Sequence, residues 1–167
     1  MTIATALLAE LEQEAESTKR VLERVPQAHL AWRPHPKSMS LGQLALHVAT
    51  VPGNVAALAA VDTVPEPPPF TQAEAQDARE LLPALVESVD RAKRVLGDFS
   101  DASMTATWRL QSRGKDILAM PRVAFVRAIM LNHWYHHRGQ LLVYLRLLDC
   151  PVPSVYGPSA DENPFSM

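Results

Sequence analysis

Histidine side chains recur at helical spacing within residues 133–137, which read HWYHH. Side chains three or four residues apart lie on one face of an α-helix, with β-carbons about 5–6 Å apart, so His133 can share a ligand with His136 or with His137. At about 100° per residue, His133 and His137 lie in the middle of the apolar stripe of this helix, whereas His136 lies at its edge. The spacing therefore favours His133 and His137 as a pair of metal ligands.

His47 lies in a second apolar stripe, between Leu44 and Val51, and is the third candidate ligand. Burying unpaired imidazoles is costly, so three that converge need a shared cation or several hydrogen-bond partners. Three neutral histidine nitrogens leave one coordination position of a metal open for water or substrate, which is the catalytic pattern. Such nitrogens suit zinc or nickel better than calcium or magnesium. The alternative is an ordinary hydrogen-bonded core histidine at each position.

Further candidates surround these stripes. Gln140 and Asn54 share faces with the histidines and are predicted to orient substrate, although a hydrogen-bonded core amide is an equal alternative. His136 is expected at the outer edge or mouth of the site. Arg138 could recognise an anionic group, but a salt bridge to the third helix is the favoured expectation. The histidine stripes carry no carboxylate near the metal, which argues against a hydrolase with its own general base.

Four long helices are needed to position these residues. The apolar spacing predicts a first helix that stops at Pro26, and Ser40 with Gln43 forms a capping box that opens the second. Thr71 with Glu74 is predicted to open the third. The third helix is expected to end near residue 97, and the fourth to span residues 123–148.

Between the third and fourth helices the helical periodicity is lost. Residues 105–110 alternate weakly and residues 112–115 form a turn signal, so a short hairpin or an irregular loop is expected there. The prediction is an all-α fold: one domain over residues 1–167, a four-helix bundle with a long loop between helices three and four. The tail from residue 154 onward is expected to lie extended over the surface or to reach a partner.

Composition excludes several classes of function. The 167 residues include 16 Lys and Arg against 18 Asp and Glu, a net charge of −2 that argues against nucleic acid as a partner. The sequence contains no unbroken apolar run of about 18 residues, so no membrane span is expected. The first residues do not resemble a signal peptide, and a cytoplasmic location is therefore expected. Cys150 is the only cysteine, which excludes an internal disulfide and a cysteine-based zinc cluster.

Four segments together carry a resemblance to a known family. They are Trp32-Arg33-Pro34, residues 38–44 (SMSLGQL) leading to His47, His133 followed by residues 137–141 (HRGQL), and residues 151–162 (PVPSVYGPSADE). In these the chain resembles the DinB/YfiT-like family of bacterial metalloproteins, which is unrelated to the DNA polymerase that shares part of the name. The resemblance implies a commonly dimeric four-helix bundle that binds a divalent metal through three histidines, here His47, His133 and His137.

The resemblance also implies a class of reaction. Some relatives are thiol transferases that use a bacterial low-molecular-weight thiol such as bacillithiol or mycothiol, so transfer of a thiol to an electrophilic small molecule is the expected activity. The alternatives are a non-catalytic dimeric metal-binding module of the stress response and a metal-dependent hydrolase. A homodimer is predicted independently, because apolar residues lie on several faces of the fourth helix.

Overall fold

Most of the chain is helical in the computed structural model, which describes residues 1–69 and 72–165. Four helices have their bounds at Ile3–Leu22 (α1), Leu41–Ala59 (α2), Leu81–Gly97 (α3) and Asp101–Thr105 (α4). The last helix, α5, has three consecutive segments: Arg122–Phe125, the π-helical Val126–Asn132, and His133–Leu147. Short 3-10 turns occupy Gln27–His29 and Ala78–Glu80. The all-α fold predicted from the sequence is confirmed.

The start of α2 follows its sequence signature. The Ser40 side chain accepts a hydrogen bond from the backbone N–H of Gln43, and the Gln43 side chain accepts one from the backbone N–H of Ser40. This reciprocal capping box satisfies two donors that the first turn of a helix leaves without partners. Because it fixes where α2 begins, it also fixes which side of the helix His47 occupies.

The predicted start of the third helix is wrong. Thr71, proposed to open it, lies outside the described residues, and residues 72–77 contain no helix. Glu74, the other half of the expected capping box, instead hydrogen-bonds through its side chain to the hydroxyl of Ser40 at the start of α2. A capping pattern is a local signal, and it can be overridden when its acidic residue hydrogen-bonds to a group far away in the sequence. The helix α3 therefore begins only at Leu81.

A small sheet joins the loop between α2 and α3 to the segment before α5. Its strands are β1 (Thr63–Val64), β2 (Thr107–Ser112) and β3 (Lys115–Pro121), in the order β1-β2-β3. The antiparallel pairing of β2 with β3 confirms the hairpin expectation, and its turn has positive φ angles of 50° and 73° at Arg113 and Gly114. The parallel pairing of β1 with β2 is a long-range contact that the local pattern did not predict.

The helix α2 lies at the centre of the bundle, packed against both α3 and α5. Its approach to α3 is closest at Gly53, where a β-carbon would lie 2.8 Å from the carbonyl oxygen of Ser88. Among the described residues, α2 is also the one helix that is long and apolar enough to cross a membrane, but 61% of its apolar stretch is buried inside the protein. Such burial is typical of a core helix.

After α5 the described part of the tail contains no helix or strand and lies against the bundle, but it is not extended as expected: it turns back on itself, and the hydroxyl of Ser159 donates to the carbonyl oxygen of Val152 at 2.6 Å. Arg20 of α1 donates to the carbonyl oxygen of Ser154 at 3.1 Å and pairs with the carboxylate of Glu162. Arg146 of α5 pairs with Asp161 at 2.5 Å. These contacts hold the tail against α1 and α5.

Candidate metal centre

Three imidazoles converge between α2 and α5. His47 comes from α2, and His133 and His137 come from adjacent turns of α5, as the spacing predicts. One ligand atom from each residue lies within 4.8 Å of the other two, and the Nε2 atoms of His47 and His133 are 3.0 Å apart. Ligands of a tetrahedral zinc ion lie about 3.3 Å from each other, given Zn–N bonds of about 2.0–2.1 Å. The three side chains therefore fit a divalent ion with little rearrangement.

The protonation state of the three imidazoles also suits a metal. The pKa of His47 is lowered to about 4. The main cause is burial, and the neighbouring imidazoles of His137 and His133 contribute less. Burial likewise lowers the pKa of His133 and of His137 below the usual histidine value. At neutral pH the imidazoles are therefore neutral, which is the form that binds a metal ion.

Gln140 orients one of the candidate ligands. Its side-chain oxygen lies 2.8 Å from Nδ1 of His137, and its side-chain nitrogen lies 3.0 Å from Nε2 of His136. Because the oxygen can only accept, His137 carries its proton on Nδ1, which leaves the Nε2 lone pair for a metal. Gln140, which was predicted to orient substrate, thus holds a candidate ligand, and His136 lies behind it.

Replacing Gln140 by leucine is expected to weaken zinc binding by about 10–100-fold, the usual effect of removing a hydrogen-bond partner of a ligating histidine. Gln140→Glu keeps the acceptor oxygen and should retain most of the affinity. The measurement is competition for zinc with a calibrated chelator at pH 7.5. Equal affinities for the wild type and Gln140→Leu would show that this hydrogen bond has no part in metal binding.

The histidines form one wall of a pocket of about 450 Å³. Asn54 also lines it, so one of the two amides predicted to orient substrate does face the site. The remaining lining residues were not predicted: Met39, Leu58, Pro68, Pro69 and Gln72. Pro68 and Pro69 belong to a proline-rich segment between α2 and α3, and no local pattern in the sequence indicates that these two residues come to lie beside the histidines.

Arg138 lies elsewhere. Its side chain is 2% exposed and pairs with the buried carboxylate of Glu14 in α1 at 2.5 Å, so the expected salt bridge with the third helix is wrong. It also donates to the hydroxyls of Thr18 and Tyr156. The buried cluster of Arg138, Glu14, Thr18 and Tyr156 joins α5, α1 and the tail. Arg138 is not among the described residues that line the pocket.

The helix α5 is π-helical from Val126 to Asn132, immediately before His133. Single π-helical turns inside α-helices occur frequently at functional sites, because the extra residue changes which side chains face a neighbour. Here the π-helical segment ends immediately before His133, the first of the two candidate ligands on α5. Periodicity counted at 100° per residue does not reveal such a segment.

The fold and the three-histidine group define a helical-bundle protein with a candidate metal centre. The profile of the DinB family matches residues 1–164, and the chain belongs to that family. It is 26% identical over 161 residues to YrdA of Bacillus subtilis (strain 168), which is described as an uncharacterized protein. The matched region covers 90% of this chain and 86% of YrdA.

Two crystal structures share the fold. A DinB-like protein from Bacillus cereus ATCC 10987 has a TM-score of 0.67 and 24% identity, over 89% of this chain and 95% of that protein. The DinB-like protein YjoA from Bacillus subtilis has a TM-score of 0.69 and 18% identity, over 90% of this chain and 96% of YjoA. These likenesses establish the common fold, and the three-histidine group is compatible with metal binding.

Proposed function

We propose that this protein is a metal-dependent enzyme that transfers a low-molecular-weight thiol to an electrophilic small molecule. The observation that carries the proposal is the group of three convergent histidines at the wall of a pocket of about 450 Å³. Three nitrogen ligands leave one position of a zinc or nickel ion open, and the pocket gives substrates a route to it. Bacillithiol and mycothiol are the proposed thiols.

A divalent ion held there would supply a positive charge that lowers the pKa of a bound thiol, so that the thiolate exists at neutral pH. The chain's own residues hold that ion and shape the space in front of it: Gln140 fixes the orientation of His137, and Asn54 offers an amide to a substrate. The thiolate sulfur forms a bond to an electrophilic carbon, the bond to the leaving group breaks, and the thiol proton leaves to solvent.

The lining of the pocket favours a thiol over water as the nucleophile. None of the described lining residues is a carboxylate that could act as a general base. A hydrolase of the metalloprotease kind uses such a base to activate its water, whereas a thiol has an ordinary pKa of about 8.5 and needs only the metal. This supports thiol transfer over metal-dependent hydrolysis.

The test is turnover by the zinc- or nickel-loaded protein with cysteine, bacillithiol or mycothiol and an alkylating electrophile, followed as loss of free thiol. We expect a metal-dependent rate at least tenfold above that of the metal-free protein, because a metal-bound thiol is ionised at neutral pH. It should disappear in His47→Ala. The control is His29→Ala, which removes an exposed histidine that is not among the described residues lining the pocket. A metal-loaded protein without turnover on any of these thiols would instead support the metal-binding module.

We also propose that the protein is a cytoplasmic homodimer. Val143 and Leu147, four residues apart on α5, are each 58% exposed and form an apolar strip suited to a second copy. Light scattering at micromolar concentration should give twice the chain mass for the wild type and the monomer mass for Val143→Glu. Val86→Glu, at a 60% exposed position of α3, is the matched control and should stay dimeric. A monomeric wild type would contradict the proposal.

A further inference from the structure

We propose that the pocket beside the three histidines binds an uncharged, largely apolar small molecule. Its role as the electrophile of thiol transfer rests on the proposed function. The walls are formed by the side chains of Met39 and Leu58 and by the rings of Pro68 and Pro69. These groups offer apolar contact area and no hydrogen bonds from their side chains, so they favour a ligand whose surface is apolar as well.

Two contacts hold described residues on either side of the proline wall. On one side, the carboxylate of Glu66 accepts hydrogen bonds from the hydroxyl of Ser112 at 3.0 Å and from the backbone N–H of Arg113 at 2.5 Å, both at the hairpin turn. On the other side, Glu74 hydrogen-bonds to Ser40 at the start of α2. Because Glu66 is held by the hairpin turn, Pro68 two residues later needs little ordering when a ligand binds, and its ring contributes to the selection of the ligand.

The same two contacts keep negative charge away from the ligand. The carboxylates of Glu66 and Glu74, on either side of the proline wall, are engaged with the hairpin turn and with Ser40. None of the described residues that line the pocket carries a lysine, arginine or carboxylate side chain. A carboxylate or phosphate on the ligand body would thus lose water without gaining an ion-pair partner in the pocket.

The metal does not change this conclusion for the body of the ligand. With three neutral histidines, a divalent ion leaves a charge of about +2, and one anionic head group, such as a thiolate, can bind to it directly. A second charge on the part of the ligand that contacts the walls would have no such partner. Asn54 and Gln72 can each hydrogen-bond one neutral polar group, for example a carbonyl.

The experiment compares two fluorescent probes that differ only by a sulfonate group: neutral N-phenyl-1-naphthylamine and anionic 8-anilino-1-naphthalenesulfonate. Both are titrated into the zinc-loaded wild type and into the metal-free protein. We expect the neutral probe to bind at least tenfold more tightly to the metal-free protein, because the sulfonate has no partner on the walls. In the zinc-loaded form the ion can itself hold an anionic head group, so the difference between the probes should be smaller there.

Two variants place a charge in the wall, Leu58→Lys and Met39→Lys, so that the failure of one to fold leaves the other. Each should weaken binding of the neutral probe at least tenfold. The matched control is Val86→Lys, which puts the same charge on an exposed apolar position of α3 and should leave binding unchanged. Helical circular dichroism and zinc content show that each variant retains its fold.

The inference is overturned if the anionic probe binds the metal-free protein as tightly as the neutral one does. It is also overturned if binding of the neutral probe is lost in Val86→Lys and retained in both wall variants. The proposed function is tested separately by turnover of 4-nitrobenzyl chloride with a thiol. Selective binding of the neutral probe without turnover would leave the pocket assignment standing and contradict the thiol transferase.

Discussion

Replacing His133 by alanine is expected to reduce the bound divalent metal from about one ion per chain to a trace. Among the described residues, His133 is one of the three candidate ligands, and its Nε2 lies 3.0 Å from that of His47, so its loss removes a third of the donor set. The measurement is metal content by inductively coupled plasma mass spectrometry on protein purified without a histidine tag. His47→Ala and His137→Ala should give the same result.

The matched control for this prediction is His35→Ala, which removes an exposed loop histidine that hydrogen-bonds only to its own loop, through Lys37. It should retain the wild-type metal content. Zinc should also raise the melting temperature of the wild type and of this control but not that of His133→Ala, because a ligand stabilises only the form that binds it. A wild type that takes up neither zinc nor nickel would mean that the three histidines are core polar residues.

The largest loss of stability is expected from Arg138→Met. The guanidinium and the Glu14 carboxylate have side-chain exposures of 2% and 8%, so the substitution leaves a buried carboxylate without its cation. Breaking such a pair costs about 3–5 kcal/mol, because the remaining charge is no longer compensated. Tyr156 also contacts both partners, so the tail should loosen at the same time. The measurement is the free energy of unfolding from urea titration.

Arg127→Met is the matched control, since Arg127 lies on the same helix and pairs with Glu10 at the surface, with side-chain exposures of 45% and 31%. An exposed pair contributes about 0–1 kcal/mol, so this variant should be close to the wild type. The double variant Arg138→Met with Glu14→Leu should recover much of the loss, because no charge is then left buried. Equal costs for Arg138→Met and Arg127→Met would contradict this account of the cluster.

The sequence by itself was sufficient for the features that depend on residues close together in the chain. His133 and His137 share a helix face because a helix repeats every 3.6 residues, and Ser40 caps α2 because Gln43 follows three residues later. Residue 97 ends α3 as expected, and the hairpin turn falls at the predicted place. That His47 faces the same pair follows from its apolar stripe, since both stripes must be buried in one core.

The tertiary structure alone decided the features that join distant parts of the chain. Arg138 forms its ion pair with Glu14 of α1 and not with the third helix. The carboxylate of Glu74 accepts a hydrogen bond from the hydroxyl of Ser40 and does not open the third helix. Pro68 and Pro69 line the histidine pocket, and Glu66, two residues before Pro68, is held by the distant hairpin turn. Local periodicity records which side of an element is buried but not which element covers it. The metal ligands could therefore be found from the sequence, whereas the walls that select the ligand depend on long-range packing.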